Sequence, residues 1–262
     1  MTLKVQCKLS LFAPESCHCI AMLRPRSGSA QWLSQETYRF SPKVPTTEYV
    51  DPFGNLCQRF DMPAGQLLIG VEAIVTTEPE ISTASNLSLT PPAFLPDSVI
   101  LFLLPSRYCP VDRMNDRAMS IAGHAQPGSA QVQAVCDWVH QNIIYEYGHS
   151  DASTDALDTL NRGAGVCRDF AHVAMALCRS LLIPCRMVVG YLHNLKPMDL
   201  HAWFEAYIDG RWYTYDPTQA KPMGGRVVLG YGRDAADVAF LTSYGFVETS
   251  EMTINVDAIE DT

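Results

Sequence analysis

The sequence predicts a chain in two parts: an N-terminal β-sandwich, then an α+β domain in which helices pack on an antiparallel sheet. Three features of the chain predict it. Residues 3–11 alternate apolar and polar side chains, with Leu3, Val5, Cys7, Leu9 and Leu11 on one face. That is the period of a half-buried strand. Residues 78–96 are rich in Pro, Ser and Thr and hold no period. Beyond them, apolar residues recur at helical spacing, and short strand patterns follow the helices. Helices first and an antiparallel sheet after them describe an α+β domain.

The elements follow in order. Residues 38–40 and 46–50 are short strand candidates. Asp51 to Asn55 reads as a turn, with Gly54 or Asn55 available for positive φ. Residues 56–60 would return beside 48–50 as a hairpin. Residues 66–77, rich in Val and Ile, form a long strand. Several short strands with polar turns suggest the sandwich. Pro91, Pro92 and Pro96 suit neither a helix nor a strand interior. The junction therefore falls between residues 89 and 110, dividing the chain into 1–100 and 101–262.

In the second part, residues 130–144 carry Val132, Val135, Cys136, Val139 and Ile143 at helical spacing, with Ser129 as the N-cap. A short helix over 154–160, capped by Ser153 or Thr154, stops at Gly163. Residues 167–182 form a longer one, with Phe170, Val173, Leu177 and Leu181 on a stripe and Pro184 ending it. Strands are predicted over 185–191, 202–208 and 211–215. Asp209-Gly210 is a two-residue hairpin signal between the last two. Residues 252–258 alternate again as a final strand. The glycine-rich stretch 224–246 reads as a mobile cover or as an ordinary connection.

Composition narrows the function. The net charge of -9 and the lack of any Lys/Arg cluster argue against nucleic-acid binding. Nine cysteines, an odd number at irregular spacings, favour free thiols over a disulfide framework. The first residues hold no continuous apolar run of the signal-peptide kind, and no stretch reaches transmembrane length. The expectation is a cytoplasmic protein without a membrane partner. An edge strand could pair with a second copy, but nothing in the sequence fixes a copy number.

The segment from Gly163 to Asp216 carries the chemistry. Cys167 stands at a predicted helix start, preceded by Gly163 and Gly165, which permit a sharp turn. Orphan N–H groups and the helix dipole there favour a thiolate. His201 begins an aromatic strand, and Asp216 ends its hairpin partner. A thiol, a base and a carboxylate that orients the base are the parts of a nucleophilic acyl-transfer site. Residues equidistant from the Asp209-Gly210 turn would pair 201 with 218 and 203 with 216. An offset of one or two residues, or a bulge, would then bring Asp216 beside His201. Singly, each residue also has a plain reading: a buried structural thiol, a surface histidine, a turn-forming Asp-Pro.

Other candidates surround this set. An oxyanion needs donors, and the Cys167 backbone N–H and Tyr145 are the choices. Tyr145 also reads as an amphipathic residue closing its helix. Trp203 would bind substrate along the cleft or pack in the sheet. Asp169 suits a first helical turn but opposes a thiolate nearby unless it is paired. No metal site is expected. Cys17-His18-Cys19 is too tight for a closed tetrahedral site, and His149, Asp151 and Asp155 lack calcium-loop spacing.

Gly-Ala-Gly-Val-Cys167-Arg-Asp-Phe-Ala, the helix after it, His201-Ala-Trp-Phe-Glu and Trp-Tyr-Thr-Tyr-Asp216-Pro-Thr closely resemble the bacterial transglutaminase-like superfamily. The match covers residues 131–218, and the β-rich first part resembles the domain that precedes this core in bacterial members. The resemblance implies a papain-like core with Cys167 as nucleophile, His201 as base and Asp216 as orienter. It implies a protein or peptide amide as substrate, attacked to leave a thioester, and no cofactor. The calcium of animal cross-linking relatives has no counterpart here. Water resolving the thioester makes a cysteine amide hydrolase or peptidase. A lysine amine would make a cross-linking amine transferase instead. A non-catalytic interaction module is the remaining alternative.

Overall fold

The computed structural model describes residues 1–28, 31–82 and 84–259. The first half supplies β1 (Thr2–Ala13), β2 (Cys17–Ala21), β3 (Gln31–Ser41), β4 (Thr46–Val50), β5 (Leu56–Met62) and β6 (Gly65–Thr77). A connection holding α1 (Asp97–Ile100) leads to α2 (Asn115–Ala122), α3 (Ser129–Asn142), β7 (Ile144–Tyr145), α4 (Ala156–Arg162), β8 (Ala164–Gly165) and α5 (Cys167–Ser180). The chain ends with β9 (Cys185–Leu192), β10 (His201–Ile208), β11 (Arg211–Tyr215), β12 (Arg226–Gly232), β13 (Leu241–Ser243) and β14 (Glu248–Ile259).

Two four-stranded sheets, ordered β14-β1-β6-β3 and β13-β2-β5-β4, build the β-rich part. The alternation read in β1 is a burial pattern: Leu3, Val5, Leu9 and Leu11 are fully buried. They share one apolar cluster with Phe60 and Met62 of β5 and with Leu67 and Ile69 of β6. The predicted hairpin forms, with Val50 opposite Leu56 and Gly54 at φ +77°.

The chain ends do not follow the division at residue 100. The predicted last strand, β14, lies antiparallel beside β1, with Val256 opposite Val5. β13 pairs with β2. Residues 241–259 thus complete the sheets of the first half instead of extending the sheet of the second. A strand with one apolar face pairs wherever that face is covered. Ile254 and Val256 find their cover in the cluster of the first half.

The second half is the predicted helix-and-sheet layer. Its sheet runs β11-β10-β9-β12, every pair antiparallel. The helix α5 is buried on all sides from Asp169 to Arg179, and its polar side chains there, Asp169, His172 and Arg179, are each hydrogen-bonded. Phe170, Val173, Ala174 and Leu177 share a cluster with Phe204, Ala206 and Ile208 of β10 and with Val132, Val135 and Val139 of α3. Arg179 within it satisfies carbonyls, donating to Cys185 O at 2.7 and 3.1 Å and to Leu104 O at 3.3 Å.

Amide side chains join the halves. Gln31 Nε2 donates to Val228 O at 2.9 Å while its Oε1 accepts from Val228 N at 2.7 Å. Asn55 does the same at Tyr231, at 2.7 and 2.8 Å. Together they occupy backbone groups that β12 would otherwise leave open. The stretch 224–246, read as cover or connection, is in part this strand.

Gly190 in β9 stands opposite His201, and a Cβ there would lie 2.1 Å from Val227 O. That oxygen is backbone, so the β9–β12 pairing would have to open. Gly190→Ala is expected to cost about 3 kcal/mol, read as a lowered midpoint in urea unfolding.

Candidate active site

Three local structures bring the cleft residues together. Gly163 ends α4 in the left-handed conformation at φ +70°. β7 and β8 then pair in parallel, setting Tyr145 beside Gly165, and Glu146 N donates to Gly165 O at 2.9 Å. Tyr145 is therefore a strand residue, not the end of α3, which stops at Asn142. Two residues after Gly165, Cys167 opens α5 with Val166 as N-cap. The capping donor runs backward: Val166 N donates to Asp169 Oδ2 at 2.9 Å. Gly165 allows it, because a Cβ there would meet Asp169 Cβ at 2.7 Å. Helix caps differ from expectation elsewhere too. Asp155 caps α4 with Asp158 in a reciprocal pair, while Ser153 and Thr154 sit in a turn held by Asp151 Oδ1.

The charge of Asp169 does not oppose a thiolate unchecked. Arg168 donates to its Oδ1 through Nε at 3.1 Å and Nη2 at 2.9 Å. Cys167 itself is half-buried, among nine cysteines that are all free.

His201 is 2% exposed, and its Nε2 bonds Asp216 Oδ2 at 2.7 Å. The Cys167 thiol lines the same cleft as the ring. No register offset or bulge is needed. β10 and β11 pair with Phe204 opposite Tyr215, so position 203 stands opposite 216. The imidazole reaches the carboxylate diagonally across the ladder, a separation within range of long side chains. Burial pulls the imidazole pKa down, but hydrogen bonds to Asp216 and Cys167 outweigh it and push it up to about 9.

Asp216 is held from three sides. Its Oδ1 accepts from Thr218 Oγ1 at 2.6 Å and from Thr218 N at 3.1 Å. Its Oδ2 accepts from His201 and from Arg226 Nη2 at 2.9 Å. Burial raises the carboxyl, but His201, Arg226 and Thr218 together hold it well below the usual carboxylate range. Arg226, on β12, is 6% exposed and lies 4.8 Å over the Trp203 ring. Sequence reasoning missed it. Its one available signal is an arginine opening an apolar strand, where an unpaired charge is costly.

Trp203 does not line the cleft of Cys167. It is 1% exposed and clusters with Val188 and Val228, its ring 6.0 Å from that of His201. Packing, not substrate contact, is its place. Tyr145 does reach the site. It lines the same cleft as Cys167 and His201. Burial, then the neighbouring sulfur, raise its pKa, so the phenol keeps its proton as a donor.

The cleft holding Cys167 and His201 measures about 600 Å³. One wall comes from Tyr108, whose ring stacks on buried His172 at 4.9 Å. Burial and then Arg168 bring the His172 imidazole down to about 3, so it stays neutral and accepts from Ala235 N at 3.1 Å. Among the described residues, no group of three or more His, Cys, Asp or Glu is placed to hold a metal ion. His18 instead bonds Asp61 at 2.7 Å. No helix of the described residues is long and apolar enough to cross a membrane.

A thiol at a helix start, over an antiparallel sheet carrying a His–Asp pair, defines a transglutaminase-like core. Residues 115–217 match the transglutaminase-like superfamily, and residues 14–76 match the bacterial transglutaminase-like N-terminal region. An uncharacterized protein of Mycobacterium leprae is 32% identical over 234 residues, 84% of this chain and 83% of that one. An uncharacterized protein of Mycobacterium tuberculosis is 31% identical over 138 residues, covering 46% of this chain and 44% of its own. The crystal structure of "a putative cysteine protease from Cytophaga hutchinsonii" superposes with a TM-score of 0.95 at 31% identity, over 100% of this chain and 92% of that one. The chain belongs to the transglutaminase-like superfamily, in the bacterial form that carries this N-terminal region.

Proposed function

We propose that the protein is a cysteine-dependent amide hydrolase or peptidase working through a thioester, with Cys167 as nucleophile, His201 as base and acid, and Asp216 as orienter. The observation that carries this reading is the buried 2.7 Å bond from His201 to Asp216, in an imidazole that shares its cleft with the Cys167 thiol. The Cytophaga hutchinsonii relative, named as a putative cysteine protease, supports the same direction.

His201 takes the Cys167 thiol proton, the sulfur attacks the amide carbonyl carbon, a C–S bond forms, and the carbonyl electron pair moves onto oxygen. The Cys167 N–H and the Tyr145 hydroxyl are the donors for that oxyanion. As it collapses, the C–N bond breaks and His201 gives its proton to the departing amine. Water then attacks the thioester and yields a proton to His201. The C–S bond breaks, releasing acid and thiolate. Asp216 holds the imidazole tautomer and stabilises its charged form throughout.

Alkylation by iodoacetamide as a function of pH, with peptide mass spectrometry, tests the pair. Cys167 is expected to label fast below pH 7, and His201→Ala to lose that labelling. Labelling no faster than an ordinary thiol would overturn the reading. A labelled primary amine added to a glutamine-containing protein separates hydrolysis from amine transfer.

A further inference from the structure

The space around Cys167 and His201 has two lobes of different chemistry. The larger, about 600 Å³, is lined by Cys167 and His201 and by apolar side chains that include Val189, Val238, Leu241 and Met252. The second, about 410 Å³, is lined by His201 but not by Cys167. Its other walls mix polar side chains, Asn194, Lys196, Asp199 and Gln219, with apolar ones that include Leu195 and Met223. Tyr145, Tyr147, Asp199, Leu200 and His201 face both lobes and form the boundary between them.

The chemistry orients a substrate across that boundary. The acyl carbon ends bonded to sulfur, so the acyl part occupies the lobe that holds the thiol. The leaving nitrogen takes its proton from the imidazole, so the amine part leaves past His201. Arg168, in the larger lobe, is already held by Asp169. An anionic acyl group therefore meets apolar walls, Asp199 and an arginine already engaged, and burying it would cost its hydration.

We propose that the larger lobe is an acyl-side subsite for a large apolar side chain, and that the smaller lobe receives a polar leaving amine. This rests on the function proposed above. It also gives the β-rich half a part in specificity. Leu241 on β13 and Met252 on β14 belong to strands that complete its sheets, yet they wall the subsite.

Fluorogenic peptide amides cleaved by the full-length chain test it, varying the acyl residue at a fixed leaving group and then the reverse. Leu or Phe at the acyl position is expected to exceed Asp or Gly by about 10- to 100-fold in kcat/KM. Met252→Lys and, separately, Leu241→Lys are expected to shift the Leu-to-Asp ratio toward Asp by about 10-fold or more. A flat acyl profile, an apolar preference confined to the leaving side, or an unmoved ratio in both variants would overturn the assignment. If no peptide is cleaved while iodoacetamide still labels Cys167 fast below pH 7, the subsite assignment falls and the nucleophile stands. If Cys167 proves unreactive, the site reading falls first and takes the subsite with it.

Discussion

His201→Ala is expected to slow amide cleavage by on the order of 10⁶-fold, since nucleophile and base act as a unit. In the proposed mechanism the imidazole takes the thiol proton and hands it to the leaving amine. Its pKa is pushed up to about 9, with burial opposing and Asp216 and Cys167 prevailing. Cleavage by the unaltered protein should therefore fall as pH rises through about 9, where the ring loses the proton it must donate. Stability carries the same sign. A folded-state pKa above the ordinary imidazole value of 6.5 stabilises the fold fully below 6.5, and that contribution disappears as pH rises through about 9. Asp216, held low, works oppositely: its contribution is present above the ordinary carboxyl value of 3.8 and lost as pH falls through its lowered value. Urea midpoints measured across pH should show the alkaline loss in the unaltered protein and its flattening in His201→Ala. A kcat/KM profile without a limb near pH 9 would contradict the assigned role.

Arg226→Met is expected to destabilise the protein by about 3–5 kcal/mol, the cost of leaving a buried charge without its partner. Asp216 is fully buried at the side chain, and Arg226 supplies one of its two Oδ2 donors at 2.9 Å. The same guanidinium donates to Met223 O at 2.9 Å and to Gln219 Oε1 at 3.2 Å, and it covers Trp203. Arg226→Lys keeps the charge but not this fork, so it should recover only part of the loss. The double variant Arg226→Met with Asp216→Asn should be more stable than Arg226→Met alone, because the unpaired charge is gone. Urea unfolding of the unaltered protein, Arg226→Met, Asp216→Asn and the double variant reads the coupling directly. A strictly additive result would mean that the ion pair contributes nothing beyond packing.

Much of this molecule is written in short-range pattern. The alternation of β1, the Gly54 turn with its hairpin, and the Asp209-Gly210 turn with the unshifted register of β10 and β11 all follow from side-chain period and turn chemistry. So does a cysteine after two glycines at a helix start. Such features depend on residues a few positions apart, so the chain states them locally. The diagonal reach of His201 was less legible, since register alone does not say how far a ring leans. The helix caps were misplaced by one or two residues, because Asp, Ser and Thr compete closely for that position.

By itself the sequence determined the two-part architecture, the order of helices before the antiparallel sheet, and the presence of Cys167, His201 and Asp216 on adjoining elements. Only the tertiary structure decided that β14 pairs with β1, that Trp203 packs away from the cleft, that Tyr145 stands on a two-residue strand beside Gly165, and that Arg226 holds Asp216. The physical reason is range. Periodicity says which face of an element is buried, but not which distant surface buries it. Buried ion pairs and strand partners join residues that the chain keeps far apart, and their energies exist only once folding has excluded water between them.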